Sequence, residues 1–83
     1  MYTTDICLGE FDERLRSNGF RIGSLFVSGY GADAKGVIIY KHGDGTEVEY
    51  VMYYHNTNPE IRIRSDIEDR ERFLENALGI WKK

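Results

Sequence analysis

The stretch EVEYVMYYHN, residues 47–56, decides the predicted fold, because it combines tyrosine and valine with two glutamates at alternate positions. Side chains alternate between the two faces of a strand. Glu47 and Glu49 cannot face a dry core without partners, because an unpaired buried charge is costly. The even-numbered side chains are therefore predicted to face the core and the odd-numbered ones to face away from it. The even set is Val48, Tyr50, Met52 and Tyr54, and the odd set is Glu47, Glu49, Val51 and Tyr53.

The GDG turn at residues 43–45 predicts a β-hairpin between this strand and the VIIYKH strand that precedes it. A two-residue or a four-residue loop places Val37 and Ile39 on the core face. Ile38 and Tyr40 then point to the other face. A three-residue loop would exchange these two sets, because a slip of one residue reverses both faces of a strand. The even-membered loop is the prediction, and the three-residue loop is its alternative.

The segment EIRIRS, residues 60–65, alternates as a further strand. A four-residue loop at 56–59 places Ile61 on the core face and Arg62 on the other face. A five-residue loop would turn two arginines inward at a cost of several kcal/mol each, so it is rejected. The resulting register pairs Arg62 with Tyr53, Arg64 with Val51, His55 with Glu60 and Ile63 with Met52.

A first helix precedes the strands. Leu8, Phe11 and Leu15 recur at the spacing of one helical face. Thr4 is predicted to cap its N-terminus. Gly19 is predicted to end it, because glycine readily adopts the positive φ that follows many helices. A strand with the sequence FRIGSLFV follows, and then a glycine-rich loop.

A second helix is predicted from residue 65 to the last residue of the sequence. Ser65 and Glu68 match the S-x-x-E pattern of a capping box. The apolar side chains expected to face the core from this helix are Ile67, Leu74, Leu78 and Trp81. We expect Trp81 to be buried together with Tyr50.

These elements predict one α+β domain over residues 1–83, with the order α-β-β-β-β-α. Short loops favour antiparallel neighbours in the sheet. Both helices are predicted to pack on one face of the sheet. The opposite face, called the open face from here on, is left to solvent or to a partner.

The open face is the predicted partner-binding surface. Aromatic and arginine side chains within a polar rim are typical of protein interfaces. The partner is expected to be a host protein, and a second copy of this chain is the other candidate. The predicted partner-binding residues are Ile38, Tyr40, Glu47, Glu49, Val51, Tyr53, Arg62 and Arg64.

Composition argues against several other functions. The 11 Lys and Arg against 14 Asp and Glu give a net charge of -3, and nucleic-acid binders need clustered cations. The single cysteine, Cys7, is expected to be a buried structural thiol and fits a reducing, cytoplasmic location. No apolar run is long enough to cross a membrane, so no membrane contact is expected. No motif predicts a catalytic group, a cofactor or a metal, so the chain is not expected to be an enzyme.

Two resemblances bear on function. The order helix, antiparallel sheet, helix resembles the double-stranded RNA-binding domain. That family carries lysines at the start of its last helix, where this chain has the acidic segment DIEDRER, so RNA binding is not implied. In size, charge and element order the chain is similar to small phage inhibitors such as anti-CRISPR proteins. That similarity implies a non-catalytic inhibitor, from a phage or mobile element, that binds a host protein.

The alternative function is nucleic-acid binding on the open face. Tyr40 and Tyr53 would stack on bases there, and Arg62 and Arg64 would contact phosphates. Glutamates on the same face argue against this alternative.

Overall fold

The computed structural model describes residues 1–31, 34–53 and 58–83. These residues form a single α+β domain, and the predicted fold class is confirmed. Two short terminal strands extend the predicted order to β-α-β-β-β-β-α-β. The elements are β1 (Tyr2–Thr3), α1 (Leu8–Ser17), β2 (Phe20–Ser28), β3 (Lys35–His42), β4 (Glu47–Tyr53), β5 (Glu60–Arg64), α2 (Arg70–Leu78) and β6 (Trp81–Lys82).

The strands of the described part of the chain form one antiparallel sheet in the order β2-β3-β4-β5-β1-β6. Tyr2 pairs with Ile61, and Thr3 pairs with Trp81. Strands of two residues show no periodicity, so the sequence pattern could not predict them. The two terminal strands therefore lie together at one side of the sheet, and β2 forms the opposite edge.

Both helices cover the same face of the sheet. Phe11 and Leu15 of α1 and Leu74 and Leu78 of α2 are fully buried. The side chains that complete this core are Tyr2, Phe20, Ile38, Tyr40, Val48, Tyr50, Ile61 and Ile80. Val48 and Tyr50 face the helices as predicted. Met52 and Ile63 pack at the margin of the core, and the prediction for Tyr54 lies outside the described residues.

The hairpin between β3 and β4 has the three-residue loop. His42 N–H donates to the carbonyl oxygen of Thr46 at 3.0 Å, and Gly45 N–H donates to that of His42 at 3.0 Å. Gly45 has φ +94°, as in a type I turn followed by a left-handed residue. The register slips by one residue, so Ile38 lies opposite Tyr50 and Tyr40 lies opposite Val48. The prediction that Ile38 and Tyr40 lie on the open face is therefore wrong.

The pairing of β4 with β5 keeps the predicted faces but not the predicted partners. Tyr50 lies opposite Ile61, and Glu49 lies opposite Arg62. The predicted register is shifted by four residues, so Arg62 does not pair with Tyr53. Both registers put isoleucines inward and arginines outward, because a shift by an even number preserves the faces. Glu60 pairs with Val51 instead of His55, and residues 54–57 lie outside the described part of the chain.

Helix α1 begins later than predicted. Cys7 occupies the N-cap position and is exposed, so the prediction of a buried thiol is wrong. The hydroxyl of Thr4 instead donates to the carbonyl oxygen of Gly79 at 2.9 Å and accepts from the backbone of Ile6. Thr4 therefore links the chain before α1 to the end of α2. Gly19, with φ +86°, follows the helix as predicted.

Helix α2 is shorter than predicted. The Ser65 hydroxyl accepts a hydrogen bond from Ile67 N–H, which forms a turn ahead of the helix and not a capping box. The helix begins at Arg70 and is followed by Gly79, with φ +66°. Trp81 consequently lies in the edge strand β6 and is 46 % exposed, so the prediction that it is buried is wrong. Ile80 is buried in the core in its place.

Candidate interaction surface

The open face carries opposite charges on neighbouring strands. Glu47 lies opposite Arg64, and Glu49 lies opposite Arg62. Lys41 lies opposite Glu47 on the other side. Such cross-strand pairs stabilise a sheet modestly and leave little net charge between them. This charged surface is a balanced one, without the cation cluster that phosphate contacts require.

The apolar part of the predicted partner surface is not available on the open face. Ile38 and Tyr40 belong to the core, and the Tyr40 hydroxyl donates to Asp12 at 2.7 Å. Val51 does face this side, but it is only 4 % exposed and lies opposite the equally buried Val37. Of the apolar and aromatic residues in the predicted partner-binding set, only Tyr53 is therefore accessible on the open face.

Tyr53 is half-buried at the end of β4, opposite Lys35. Its hydroxyl donates to the carboxylate of Glu60 at 3.1 Å. This hydrogen bond raises the pKa of Tyr53 above its ordinary value. Glu60 also lies 3.7 Å from the ammonium group of Lys83. Tyr53 is therefore held by local polar contacts and is not free to stack on Arg62.

A shallow depression of about 690 Å³ crosses this part of the molecule. Its walls combine aliphatic side chains with carboxylates and guanidinium groups. The residues that line it include Ile39, Glu47, Glu49, Arg62 and Arg64. Among the described residues, no three His, Cys, Asp or Glu side chains converge as metal ligands would.

Three consecutive exposed apolar side chains lie elsewhere, on strand β2. Leu25 is 67 % exposed, Phe26 is 46 % exposed and Val27 is 77 % exposed. Tyr30, just beyond the strand, is almost fully exposed. Phe20, at the other end of β2, is buried beneath the helices. The helices thus bury the first residue of β2 and leave the rest of the strand exposed.

A β-bulge in β2 changes which of its residues face the helices, from even-numbered before the bulge to odd-numbered after it. The register with β3 shifts between Ile22 and Ser24, so Gly23 is the extra residue. After the bulge, Leu25 lies opposite Ile38 on the helix side. Phe26 lies opposite Val37 on the open face.

Beside this segment lies a small, mainly apolar depression of about 210 Å³. Val27 and Met52 form part of its wall, and Gly36 lies between them in the sheet. A Cβ atom at Gly36 would come within 3.3 Å of the Met52 methyl group. The Met52 methyl group therefore packs closely over Gly36.

Strand β2 was predicted from the sequence, but no functional role was predicted for it. The signal that could have identified this edge is the absence of charge between Arg21 and Asp33, which is unusual in a chain that is 30 % charged. Natural edge strands are commonly protected by charges or proline. The sequence could not show that neither helix reaches over this segment of the sheet.

Comparison of the chain with family models, with curated proteins and with solved structures gives no match. Within the described residues, neither helix has the length and apolar character needed to cross a membrane.

Proposed function

We propose that this chain is a non-catalytic protein-interaction domain that binds its partner through the free edge of β2. The supporting observation is the SLFVS segment, residues 24–28. This segment is an edge strand that exposes three large apolar side chains and carries no charge. This class of function is the one expected from the sequence. The proposed binding surface, however, is the sheet edge and not the open face.

The backbone of β2 supplies the first part of the binding energy. In the described part of the chain, one side of β2 pairs with β3 and no strand pairs with the other side. The outward N–H and C=O groups are therefore available to an added strand, which is a common mode of peptide recognition. No lysine or proline protects residues 24–28 against such pairing.

The side chains supply the second part. Burying a fully exposed leucine, valine or phenylalanine contributes about 1.5–3 kcal/mol. Leu25 and Val27 are mostly exposed, so each can contribute a large share of that amount when a partner covers it. The depression beside Val27 can receive an apolar side chain of the partner, as the pockets of interface hot spots do.

The alternative function, nucleic-acid binding, has less support. Tyr40 is buried, and Arg62 and Arg64 lie opposite glutamates in the sheet. An inhibitor from a phage or mobile element that binds a host protein remains the proposed biological setting. An exposed edge strand would serve that role without any catalytic group.

Affinity capture from a bacterial lysate tests the proposal when three variants are compared with the unmodified chain. Val27→Lys places a charge on the proposed edge. Ile67→Lys adds the same charge at a position that is also exposed but lies before α2. The double variant Glu49→Gln with Arg62→Gln alters the open face.

We expect a captured protein to be lost with Val27→Lys and retained with the other two variants. If capture is lost only with the double variant at Glu49 and Arg62, the binding surface is the open face. Capture that none of the three variants changes would overturn the assignment to β2.

A further inference from the structure

We infer that the β2 edge accepts a second copy of this chain, paired antiparallel about a two-fold axis at Phe26. The inference rests on the proposed function, because it concerns the same edge, which a second copy occupies when no host protein is bound. It adds a specific register, which follows from the order of residues in the segment and from the faces that the bulge assigns to them.

The SLFVS segment is nearly palindromic in its chemistry. An antiparallel pair centred on Phe26 places Phe26 opposite its own copy. Leu25 then lies opposite Val27 of the second copy, and Ser24 lies opposite Ser28. Apolar side chains meet apolar ones and hydroxyls meet hydroxyls at every position of the segment.

Neighbouring registers lose this match. A pair centred on Leu25 would place Phe26 opposite Ser24 and Val27 opposite Gly23, the bulge residue. A pair centred on Val27 would place Leu25 opposite Gly29, outside the strand. The register centred on Phe26 is therefore the one that the sequence of the edge favours.

The faces of the two sheets also agree in this register. Directly opposite residues of an antiparallel pair point to the same side of a sheet. Leu25 and Val27 lie on the helix side of each copy, and Phe26 lies on the open face. The two sheets would thus join into one, and Leu25 and Val27 would form a continuous apolar strip on the side that carries the helices.

The helices do not obstruct this arrangement. They cover β2 near Phe20, about 20 Å from Phe26 along the strand at ~3.3 Å per residue. The two-fold axis places the helix-covered ends of the two copies on opposite sides of Phe26. The segment itself carries no charge, so no like charges meet across the axis. A contact built on one short strand pair falls in the class of small, weak interfaces, so the dimer should dissociate on dilution.

Sedimentation of the purified chain over a wide range of concentration is the first test. The unmodified chain should pass from monomer to dimer as concentration rises. Phe26→Lys should keep the chain monomeric, because it sets two like charges directly opposite each other. Ile67→Lys, with the same added charge, should still dimerise. Thermal denaturation of each variant checks that the fold is intact.

A cross-linking experiment tests the register and does not depend on the lysine variant. In a Cys7→Ser background, Phe26→Cys should form an intermolecular disulfide under a mild oxidant, because directly opposite Cβ atoms lie ~4.5–5.5 Å apart. Ser24→Cys in the same background should not, because its own copy would lie about 13 Å away along the strand.

A chain that stays monomeric at every concentration would overturn the inference, and so would equal cross-linking by the two cysteine variants. Neither result would decide the proposed function, which depends on whether Val27→Lys abolishes capture. If self-association and capture are both unaffected by changes in β2, the proposed function fails as well.

Discussion

The hydroxyl of Tyr40 donates a 2.7 Å hydrogen bond to the carboxylate of Asp12 and so links strand β3 to helix α1. Asp12 also accepts from the guanidinium of Arg16 at 2.8 Å. The hydrogen bond from Tyr40, followed by that from Arg16, lowers the pKa of Asp12. Burial and the hydrogen bond to Asp12 raise the pKa of Tyr40. A tyrosine expected to bind a partner is thus a structural link beneath the helix.

Removing this hydroxyl should destabilise the fold. Tyr40→Phe keeps the ring in the core and takes away one hydrogen bond to a charged group. Such bonds contribute roughly 1.5–3 kcal/mol. The loss should lie at the lower end of that range, because Asp12 keeps Arg16 and partial contact with water. Urea denaturation at neutral pH measures the free energy of unfolding.

Glu10→Gln is the matched control for this prediction. Glu10 pairs with Arg14 one turn apart on the same helix, and both side chains are substantially exposed. Pairs of this kind contribute about 0.3–0.5 kcal/mol. If Tyr40→Phe costs no more than Glu10→Gln, the hydrogen bond to Asp12 does not stabilise the fold.

The lowered pKa of Asp12 also predicts how stability depends on pH. Its pKa in the folded chain is below the unfolded value of about 4. The stability that the ionised Asp12 carboxylate contributes is therefore fully present above pH ~4 and is lost as pH falls through the folded pKa. Asp12→Asn should be less stable than the unmodified chain at neutral pH, and the difference should shrink in acid. Denaturation at a series of pH values measures this difference in stability. A difference that does not change with pH would contradict a stabilising role for the ionised Asp12 carboxylate.

Strand β4 shows what the sequence could predict. Glu47 and Glu49 fixed the faces of β4, and Tyr50 is buried as expected. The adjoining hairpin was mispredicted because loops of two, three and four residues all suit the GDG turn, and the choice among them depends on packing. Tyr40 illustrates the consequence, since one extra loop residue moves it from the open face into the core.

The ends of the second helix show a different limit. The apolar spacing of Leu74 and Leu78 correctly indicated a helix. Trp81 continues that spacing, yet Gly79 adopts φ +66° and the chain leaves the helix to pair with β1. Pairing between the two ends of a chain is a long-range contact, so local periodicity carries no information about it.

Substitutions at Tyr50 and Trp81 measure this difference. Tyr50→Ala should cost about 3–5 kcal/mol, because its ring lies 5.0 Å from that of Phe11 in the core. Trp81→Ala should cost much less, because nearly half of the residue is already exposed. Thermal and urea denaturation of the two variants give the comparison. Equal losses of stability would mean that Trp81 is buried in solution and does not lie in the exposed strand β6.

The register between β4 and β5 is open to a direct test through Arg62. Glu49 lies opposite Arg62, whereas Tyr53 lies opposite Lys35 on the neighbouring strand. A double-mutant cycle with Glu49→Gln and Arg62→Gln should give a favourable coupling of about 0.2–1 kcal/mol, as expected for opposite charges directly across a sheet. The coupling should fall as salt is added, because both groups are accessible to screening.

The control is a second cycle that combines Tyr53→Phe with the same arginine substitution. The Tyr53 hydroxyl is bonded to Glu60, so its coupling to Arg62 should be the smaller of the two and should respond less to salt. A larger coupling for Tyr53 would favour the register shifted by four residues, in which these two side chains face each other. Both registers place Arg62 on the open face, so its burial does not distinguish them. The coupling energies from the two cycles do.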